Sequence, residues 1–303
     1  MEKYLDINPE VKEALNSNKP VVALESTIIS HGMPYPENIK TAQMLEDLLR
    51  NKGVVPATIA LMNSKIKIGL NSSELQLLAE NKEVWKTSRR DIPYVLTSKK
   101  IGATTVAATM IAAALAKIPI FATGGIGGVH HGAEVSMDIS ADLLELAQTN
   151  VAVVSAGAKS ILDLPKTLEV LETQGVPVIG YKTSEFPSFY ARTSGLKTDF
   201  QMNTAKEIAE FMKAKWNLKL NGGILIANPI PEAFAMDAEI INQKIAAALE
   251  MASKQNIKGK ETTPFLLKHI KEATSGKSLQ ANIELVKNNV ALAAEIATEY
   301  CKH

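Results

Sequence analysis

Cysteine is almost absent from this chain, as are several other features that would point directly to a function class. The single cysteine, Cys301, excludes an intrachain disulfide framework and fits a reducing compartment. The formal net charge of +1 gives no reason to expect a nucleic-acid partner. No stretch approaches the ~20 unbroken apolar residues of a membrane span, and the first residues lack the apolar segment of a secretion signal. We therefore expect a cytoplasmic protein with no membrane or nucleic-acid partner.

The chain does contain enough apolar sequence for a packed core. Hydrophobic residues make up 46% of the 303 residues and charged residues 21%. Short apolar runs alternate with helical patterns, while Pro/Ser-rich linkers and fixed-period repeats are missing. This pattern predicts one domain over residues 1–303, with a layered α/β/α fold, a largely parallel central sheet and a helical C-terminal third.

Local signals place the main elements. Buried strands are predicted at 21–25, 119–123, 176–180 and 223–227, and helices at 138–149 and about 204–218. Two strand patterns at 57–62 and 65–70 flank Asn63 and Ser64, which indicates a hairpin. Ser72 is the predicted N-cap of the helix that follows.

A glycine cluster at 124–128 follows one of the predicted strands. Its spacing fails the dinucleotide-binding fingerprint, because the third glycine of that pattern would fall at His130. Glycine-rich backbone can approach a ligand closely and turn amides toward an anion. The plainer interpretation is a tight turn that needs positive φ. Spacing alone does not separate the two.

The segment after the cluster is rich in metal-ligating side chains. Residues 130–142 hold two adjacent histidines and three carboxylates, a pattern that matches no zinc signature and suits Mn²⁺ or Mg²⁺ better. Asp138 and Asp142 are four residues apart, so on a helix they would share a face. Alternatively, they are acids that complement the N-terminal dipole of a helix.

Two further polar residues end apolar strand patterns. Glu25 follows residues 21–24 and has hydroxyl neighbours, a placement that suits a general acid/base or an ordinary loop start. Lys159 ends the run 150–158. It either emerges into water or points into a cleft, where desolvation would lower its pKa and favour the nucleophilic amine.

Two segments suit an anion. Residues 86–91 supply three cations and two hydroxyls, which fits a phosphate or a solvated charged loop. Residues 102–105 precede a predicted helix, which fits either an anion site or simple N-capping.

Taken in order, these segments resemble one family, the pseudouridine-5′-phosphate glycosidases, also called indigoidine synthase A-like proteins. The resemblance runs from about residue 20 to 300 and is weakest over 182–202. It is densest in VVALESTIISHGMP (21–34), SRRD (88–91), GATT (102–105), ATGGIGGVH (122–130), DISAD (138–142), AGAKSILD (156–163), NGG (221–223), ANPIPE (227–232) and GKE (259–261).

The resemblance implies a lyase that reversibly cleaves the C–C glycosidic bond of pseudouridine 5′-phosphate to uracil and ribose 5-phosphate. It implies Mn²⁺ or a similar divalent cation, and a homotrimer. Motif by motif, Lys159 matches the lysine that forms an adduct at C1′ of the ring-opened ribose, Glu25 the acid/base and Asp138 the metal ligand. Asn282 is a further candidate for a phosphate or base contact. Substrate-contacting positions match Lys86, Val106, Ser140, Ala141 and Asp142.

Two other function classes remain consistent with the residues. A Schiff-base aldolase for another sugar phosphate would share the lysine and the anion-suited segments but would need no uracil pocket. A non-catalytic metabolite-binding protein would use the glycine cluster as an anion cradle and would have little use for Glu25 and Lys159 together. Release of uracil would distinguish a pseudouridine-5′-phosphate glycosidase from both the aldolase and the binding protein.

Overall fold

A computed structural model of the chain describes residues 2–255, 257, 259 and 262–302. The strands are β1 Leu5–Ile7, β2 Val21–Leu24, β3 Val55–Met62, β4 Lys65–Ile68, β5 Trp85–Thr87, β6 Gly102–Thr104, β7 Ile120–Ala122, β8 Ala152–Ser155, β9 Val178–Tyr181, β10 Phe200–Met202 and β11 Ile224–Ala227. The α-helices are α1 Pro9–Asn16, α2 Glu37–Asn51, α3 Ser72–Glu80, α4 Ile92–Thr97, α5 Val106–Leu115, α6 Ala133–Ser136, α7 Ala141–Gln148, α8 Leu164–Thr173, α9 Ala205–Asn217, α10 Ala238–Lys254, α11 Thr262–Ala273 and α12 Lys277–Cys301. Among the described residues, no helix is long and apolar enough to cross a membrane.

The strands form one sheet whose centre is parallel. Its main path runs β1-β4-β3-β2-β7-β8-β11-β9-β10, and β5 joins through β6, which pairs with β3. Along the part of this path that runs from β3 to β10, all neighbouring strands are parallel. Strand β3 pairs antiparallel with β4 and with β6. The central strands β2, β7, β8 and β11 are buried along their whole length, as expected for a sheet covered on both faces. The predicted parallel sheet is confirmed.

Helices cover the sheet in two groups. One group joins α2, α12 and α9, and α12 also packs on β2, β7 and β8. The other group joins α5, α7 and α8, with α5 packed on β2, β3 and β7. The predicted layered α/β fold and the helical C-terminal third are therefore confirmed. The last helix, α12, packs directly on the central strands and is a core element of the fold.

Two local predictions can be compared directly with the structure. The hairpin forms between β3 and β4, and both turn residues take positive φ (Asn63 52°, Ser64 58°), as a tight two-residue turn requires. The N-cap of α3 is Asn71, not Ser72. Asn71 accepts from the amide of Glu74, whose carboxylate accepts from the Asn71 amide in return, so a capping box replaces the single predicted hydroxyl.

The parallel arrangement brings three chain segments to one edge of the sheet. Because β2, β7 and β8 are neighbours and run in the same direction, the residues after each strand lie at a common carboxyl edge. Glu25 directly follows β2. The glycine cluster follows β7, and Lys159 lies four residues past the end of β8. The chain beyond β7 and β8 stays paired through a bridge between Ile126 and Ala158, which extends the sheet toward the lysine.

Candidate active site

A cleft of about 450 Å³ opens at this carboxyl edge. Every site residue predicted from the sequence lines it. These residues are Glu25, Lys86, Val106, Asp138, Ser140, Ala141, Asp142 and Lys159, together with Asn282. They come from separate motifs spread over most of the chain, so the fold assembles them into one site.

Glu25 is held on both sides of its carboxylate. The hydroxyl of Thr27 donates to one oxygen and the hydroxyl of Thr123 donates to the other. Behind it, buried Ser26 and Thr104 both donate to the carbonyl of Ile59, which fixes the end of β2 to the neighbouring strands. The carboxylate is therefore oriented toward the cleft by donors that keep it a hydrogen-bond acceptor.

Lys159 reaches back across the sheet edge to the glycine cluster. Its Nζ donates to the carbonyl of Gly125 at 2.7 Å, and its backbone amide donates to the carbonyl of Ile126 at 3.1 Å. The side chain is half-buried and lines the cleft. The structure thus agrees with a cleft-facing lysine rather than one that emerges into bulk water.

The glycines of the cluster are explained by close packing, not by backbone strain. None of residues 124–128 has positive φ, so the tight-turn interpretation is wrong. A Cβ on Gly125 would lie 2.7 Å from the ring of Phe189, and one on Gly127 would lie 2.2 Å from Oγ of Ser140. A Cβ on Gly128 would meet Thr167 at 2.5 Å. The cluster lets the backbone run close to neighbouring side chains at the base of the cleft.

Asp142 connects two of the predicted segments. Its carboxylate accepts from the amide of Ala107 at 2.9 Å and from the amide of Gly127 at 2.8 Å, and its own amide donates to Ser140 Oγ at 3.2 Å. It therefore binds the first turn of α5, next to Val106, to the glycine cluster. The N-capping interpretation of the helix start is confirmed, because Thr105 caps α5 and Asp142 satisfies a second amide there.

Asp138 does not share a helical face with Asp142. Helix α7 begins at Ala141, and Asp138 lies in the preceding loop, where Met137 has a φ of 57°. The Asp138 carbonyl accepts from the amide of His130 at 3.1 Å. Burial lowers the pKa of His130, while the nearby Asp138 carboxylate opposes that shift. His130 is therefore a neutral imidazole at pH 7 beside a cleft-lining carboxylate.

The donor set around Asp138 limits what kind of metal it can bind. Within the part of the chain that the structure describes, no group of three or more His, Cys, Asp or Glu side chains could hold an ion. A protein-caged metal does not fit. A hard divalent cation that takes one carboxylate and fills its shell with water and substrate oxygens does fit, as Mg²⁺ commonly binds.

The predicted cation-rich segment is partly used inside the protein. Arg89 donates through Nε and Nη2 to the two carboxylate oxygens of Glu145, at 2.6 and 3.0 Å, and Glu145 is fully buried. Arg90 is largely exposed, and Lys86 lines the cleft. Of the three cations in this segment, Arg89 is thus committed to an ion pair inside the protein.

Sequence reasoning missed one wall of the cleft. Phe189, from the segment where the resemblance is weakest, lines it with a backbone φ of 56°, and Thr263, Pro264 and Leu267 of α11 complete it. No local pattern marks these residues, because they reach the cleft only through long-range packing. Of the predicted motif at 259–261, residues 260 and 261 lie outside the described residues.

A family model described as indigoidine synthase A like protein matches residues 10–299 of the chain. The chain belongs to the indigoidine synthase A-like family. The match covers every residue of the cleft named above, so the family assignment and the site refer to the same part of the chain.

Curated members of the indigoidine synthase A-like family resemble this chain over its whole length. A protein from Clostridium botulinum (strain Langeland / NCTC 10281 / Type F) is 61% identical over 303 residues, which cover 100% of this chain and 99% of the relative. One from Geobacillus kaustophilus (strain HTA426) is 60% identical over 299 residues and covers 99% of both. Both are named pseudouridine-5′-phosphate glycosidase.

Solved structures share the fold of this indigoidine synthase A-like chain. The prealnumycin C-glycosynthase AlnA, determined in complex with ribulose 5-phosphate, superposes with a TM-score of 0.92 at 37% identity and covers 99% of this chain and 97% of its own. An indigoidine synthase A-like protein from Thermotoga maritima superposes with a TM-score of 0.90 at 34% identity, with the same coverage.

Proposed function

We propose that this chain is a pseudouridine-5′-phosphate glycosidase, which reversibly cleaves pseudouridine 5′-phosphate to uracil and ribose 5-phosphate. The observation that carries the proposal is that Glu25 and Lys159 line the same cleft. The chain is also 61% identical over its full length to a protein named pseudouridine-5′-phosphate glycosidase. The AlnA complex with ribulose 5-phosphate adds support, because it is a related protein that binds a five-carbon sugar phosphate.

The reaction needs an unusual electron path. The scissile bond joins two carbons, so no heteroatom of a leaving group can be protonated, and the paired-carboxylate route of ordinary glycosidases does not apply. A lysine amine can instead bond to C1′ of the sugar while the ring oxygen leaves and takes a proton. The nitrogen lone pair then forms the C=N bond as the C–C bond breaks, and its electron pair passes to the uracil carbon.

This path gives Glu25 and Lys159 separate tasks. Lys159 attacks C1′ and is released when water hydrolyses the iminium to the aldehyde of ribose 5-phosphate. Glu25 takes up the proton that the Lys159 ammonium loses when it becomes the attacking amine, and then gives that proton to the uracil carbon. Thr27 and Thr123 orient the carboxylate for that transfer, and the Gly125 carbonyl orients the amine.

We further propose that Asp138 provides the protein ligand for Mn²⁺ or a similar divalent cation. When bound, the cation would organise negative charge on the substrate oxygens. The remaining proposed contacts to the substrate are Lys86, Val106, Ser140, Ala141 and Asp142. Asp142 would act chiefly by holding the amides of Ala107 and Gly127 in place.

The test is incubation with pseudouridine 5′-phosphate and Mn²⁺, with and without a chelator, followed by chromatography for uracil. Uracil release separates this activity from an aldolase or a binding protein. Lys159→Ala should abolish release, and so should Lys159→Arg, because a guanidinium stays protonated. Borohydride with ribose 5-phosphate should leave a stable mass increment on the Lys159 peptide. A Lys159→Ala protein that cleaves at the wild-type rate would exclude this mechanism.

We also propose that the protein is a cytoplasmic homotrimer. Val135 and Met137, beside the cleft, have 88% and 77% of their surface exposed, and apolar surface of this kind commonly marks a contact between subunits. Light scattering should give three times the chain mass of 32.7 kDa. A single-chain mass at micromolar concentration would contradict the proposal.

A further inference from the structure

Two buried asparagines lie directly behind the cleft. Asn289 of α12 is fully buried, and its Nδ2 donates to the carbonyl of Thr123 at 2.8 Å and to that of Gly124 at 3.4 Å. Its Oδ1 accepts from Nδ2 of Asn228 at 3.1 Å. Asn228 follows β11, is 4% exposed and donates its backbone amide to the carbonyl of Ser155 at 2.8 Å.

The hydrogen-bond pattern allows only one orientation of each amide. Backbone carbonyls can only accept, so Asn289 has to present its nitrogen to Thr123 and Gly124. Its oxygen then faces Asn228, which has to present a nitrogen in turn. The pair therefore forms a directional network that anchors β11 to the segment after β7, and reversal of either amide would leave buried groups without partners.

The backbone that Asn289 holds is the backbone that orients both proposed catalytic groups. The hydroxyl of Thr123 donates to Glu25, and the carbonyl of Gly125, one residue past Gly124, accepts from Lys159 Nζ. Asn289 therefore contacts the one stretch of backbone that supports both the proton donor and the amine.

We infer that Asn289, itself oriented by Asn228, is a positioning residue that fixes the alignment of Glu25 with Lys159. The inference rests on the proposed function for the roles of these two groups. Asn289 touches neither of them and acts only through the backbone of residues 123–125. A shift of that backbone would misalign two groups at once, and misplacement of about 1 Å can cost a hundredfold in rate.

The matched control is Lys215, another buried donor to backbone carbonyls. Its Nζ donates to the carbonyls of Leu220, Asn221 and Gly222, at 2.6, 2.8 and 3.1 Å. These residues precede β11, so they lie at the amino edge of the sheet, away from the cleft. Asn289→Leu and Lys215→Met both delete buried hydrogen bonds, but only the first deletes them behind the cleft.

The experiment measures uracil release per folded molecule, with thermal unfolding as the stability readout. Asn289→Leu should lower kcat about ten- to a hundredfold with KM changed less than about twofold, because alignment is lost and substrate contacts remain. Lys215→Met should lower the unfolding temperature and leave kcat unchanged. If Asn289→Leu does not fold, Asn228→Ala should give a smaller loss of kcat in the same direction. A wild-type kcat in folded Asn289→Leu or in folded Asn228→Ala would overturn the inference.

A second readout does not depend on turnover. Competitive labelling with acetic anhydride and peptide mass spectrometry reports the reactivity of each lysine amine. Lys159 should label faster in Asn289→Leu than in wild type, because its hydrogen bond to Gly125 is disturbed, and should be unchanged in Lys215→Met. Equal labelling in all three proteins would overturn the inference. Absence of uracil release from the wild type would instead overturn the proposed function, whatever the labelling shows.

Discussion

The pairing of Arg89 with Glu145 gives a prediction that separates two roles for one cleft residue. Sequence reasoning made Arg89 a candidate phosphate ligand, whereas the structure shows it bound through two nitrogens to a fully buried carboxylate. Arg89→Met keeps most of the apolar stem and removes the guanidinium. The question is whether that change weakens the fold or the binding of substrate.

The structure sets the expected size of the effect. A buried ion pair that loses one partner typically costs 3–5 kcal/mol, because the other charge stays buried. About half of the Arg89 side chain is exposed, so water can replace part of the lost interaction. Thr149 also donates to Glu145. We therefore expect a loss of about 2–3 kcal/mol, which for a chain of this size lowers the unfolding temperature by roughly 3–5 °C.

Urea and thermal unfolding of Arg89→Met, with KM measured in parallel, are the assays. The double variant Arg89→Met, Glu145→Leu is the control. It removes both charges and should recover most of the lost stability, because an apolar pair of similar volume often replaces a buried ion pair at no cost. An unchanged unfolding temperature together with a raised KM would refute this reasoning and return Arg89 to the role of phosphate ligand.

Two further predictions concern packing and pH. Gly127→Ala should destabilise the protein by about 1–3 kcal/mol and reduce uracil release. The cause is crowding, because the new Cβ would lie 2.2 Å from Ser140 Oγ and 2.7 Å from Asp142 Oδ2. Denaturant titration measures the loss of stability and the uracil assay the loss of activity, and wild-type values in both would contradict the prediction. Burial raises the pKa of Glu46 above its ordinary value of 4.5, outweighing the hydrogen bond from Thr58. The contribution of Glu46 to the free energy of unfolding is thus fully present below pH 4.5. It is lost as the pH rises through the pKa of Glu46 in the folded state. Glu46→Gln should therefore raise the unfolding temperature at pH 7 and have no effect near pH 4, and an equal gain at both pH values would show that ionisation is not the cause.

Much of the fold is readable from local sequence because local and global preferences agree. The turn at Asn63 and Ser64 tolerates positive φ, so the hairpin between β3 and β4 is specified within a few residues. The apolar runs of β2, β7 and β8 are short and fully buried, which is what a covered parallel sheet requires.

The candidate site can be predicted only in part from the sequence, because its details depend on contacts between residues far apart in the chain. Glu25 and Lys159 follow strand patterns, so their place at the carboxyl edge of the sheet is predictable from the sequence. The loop that carries Asp138 looked helical, since its turn at Met137 shows no breaker residue. Phe189 and the α11 residues enter the cleft through tertiary packing, to which no spacing rule applies. The partner of Arg89 is 56 residues away in the chain, and no local pattern indicates it.

The contact between Asn289 and Thr123 also has a consequence for how the protein is made. The two residues are 166 positions apart, and α12 packs on the central strands β2, β7 and β8. During translation, the strands that carry Glu25 and Lys159 leave the ribosome long before the helix that completes their packing. Nascent chains without α12 would expose the apolar surface of those strands and lack an aligned site. This face of the sheet is therefore most exposed before α12 has emerged.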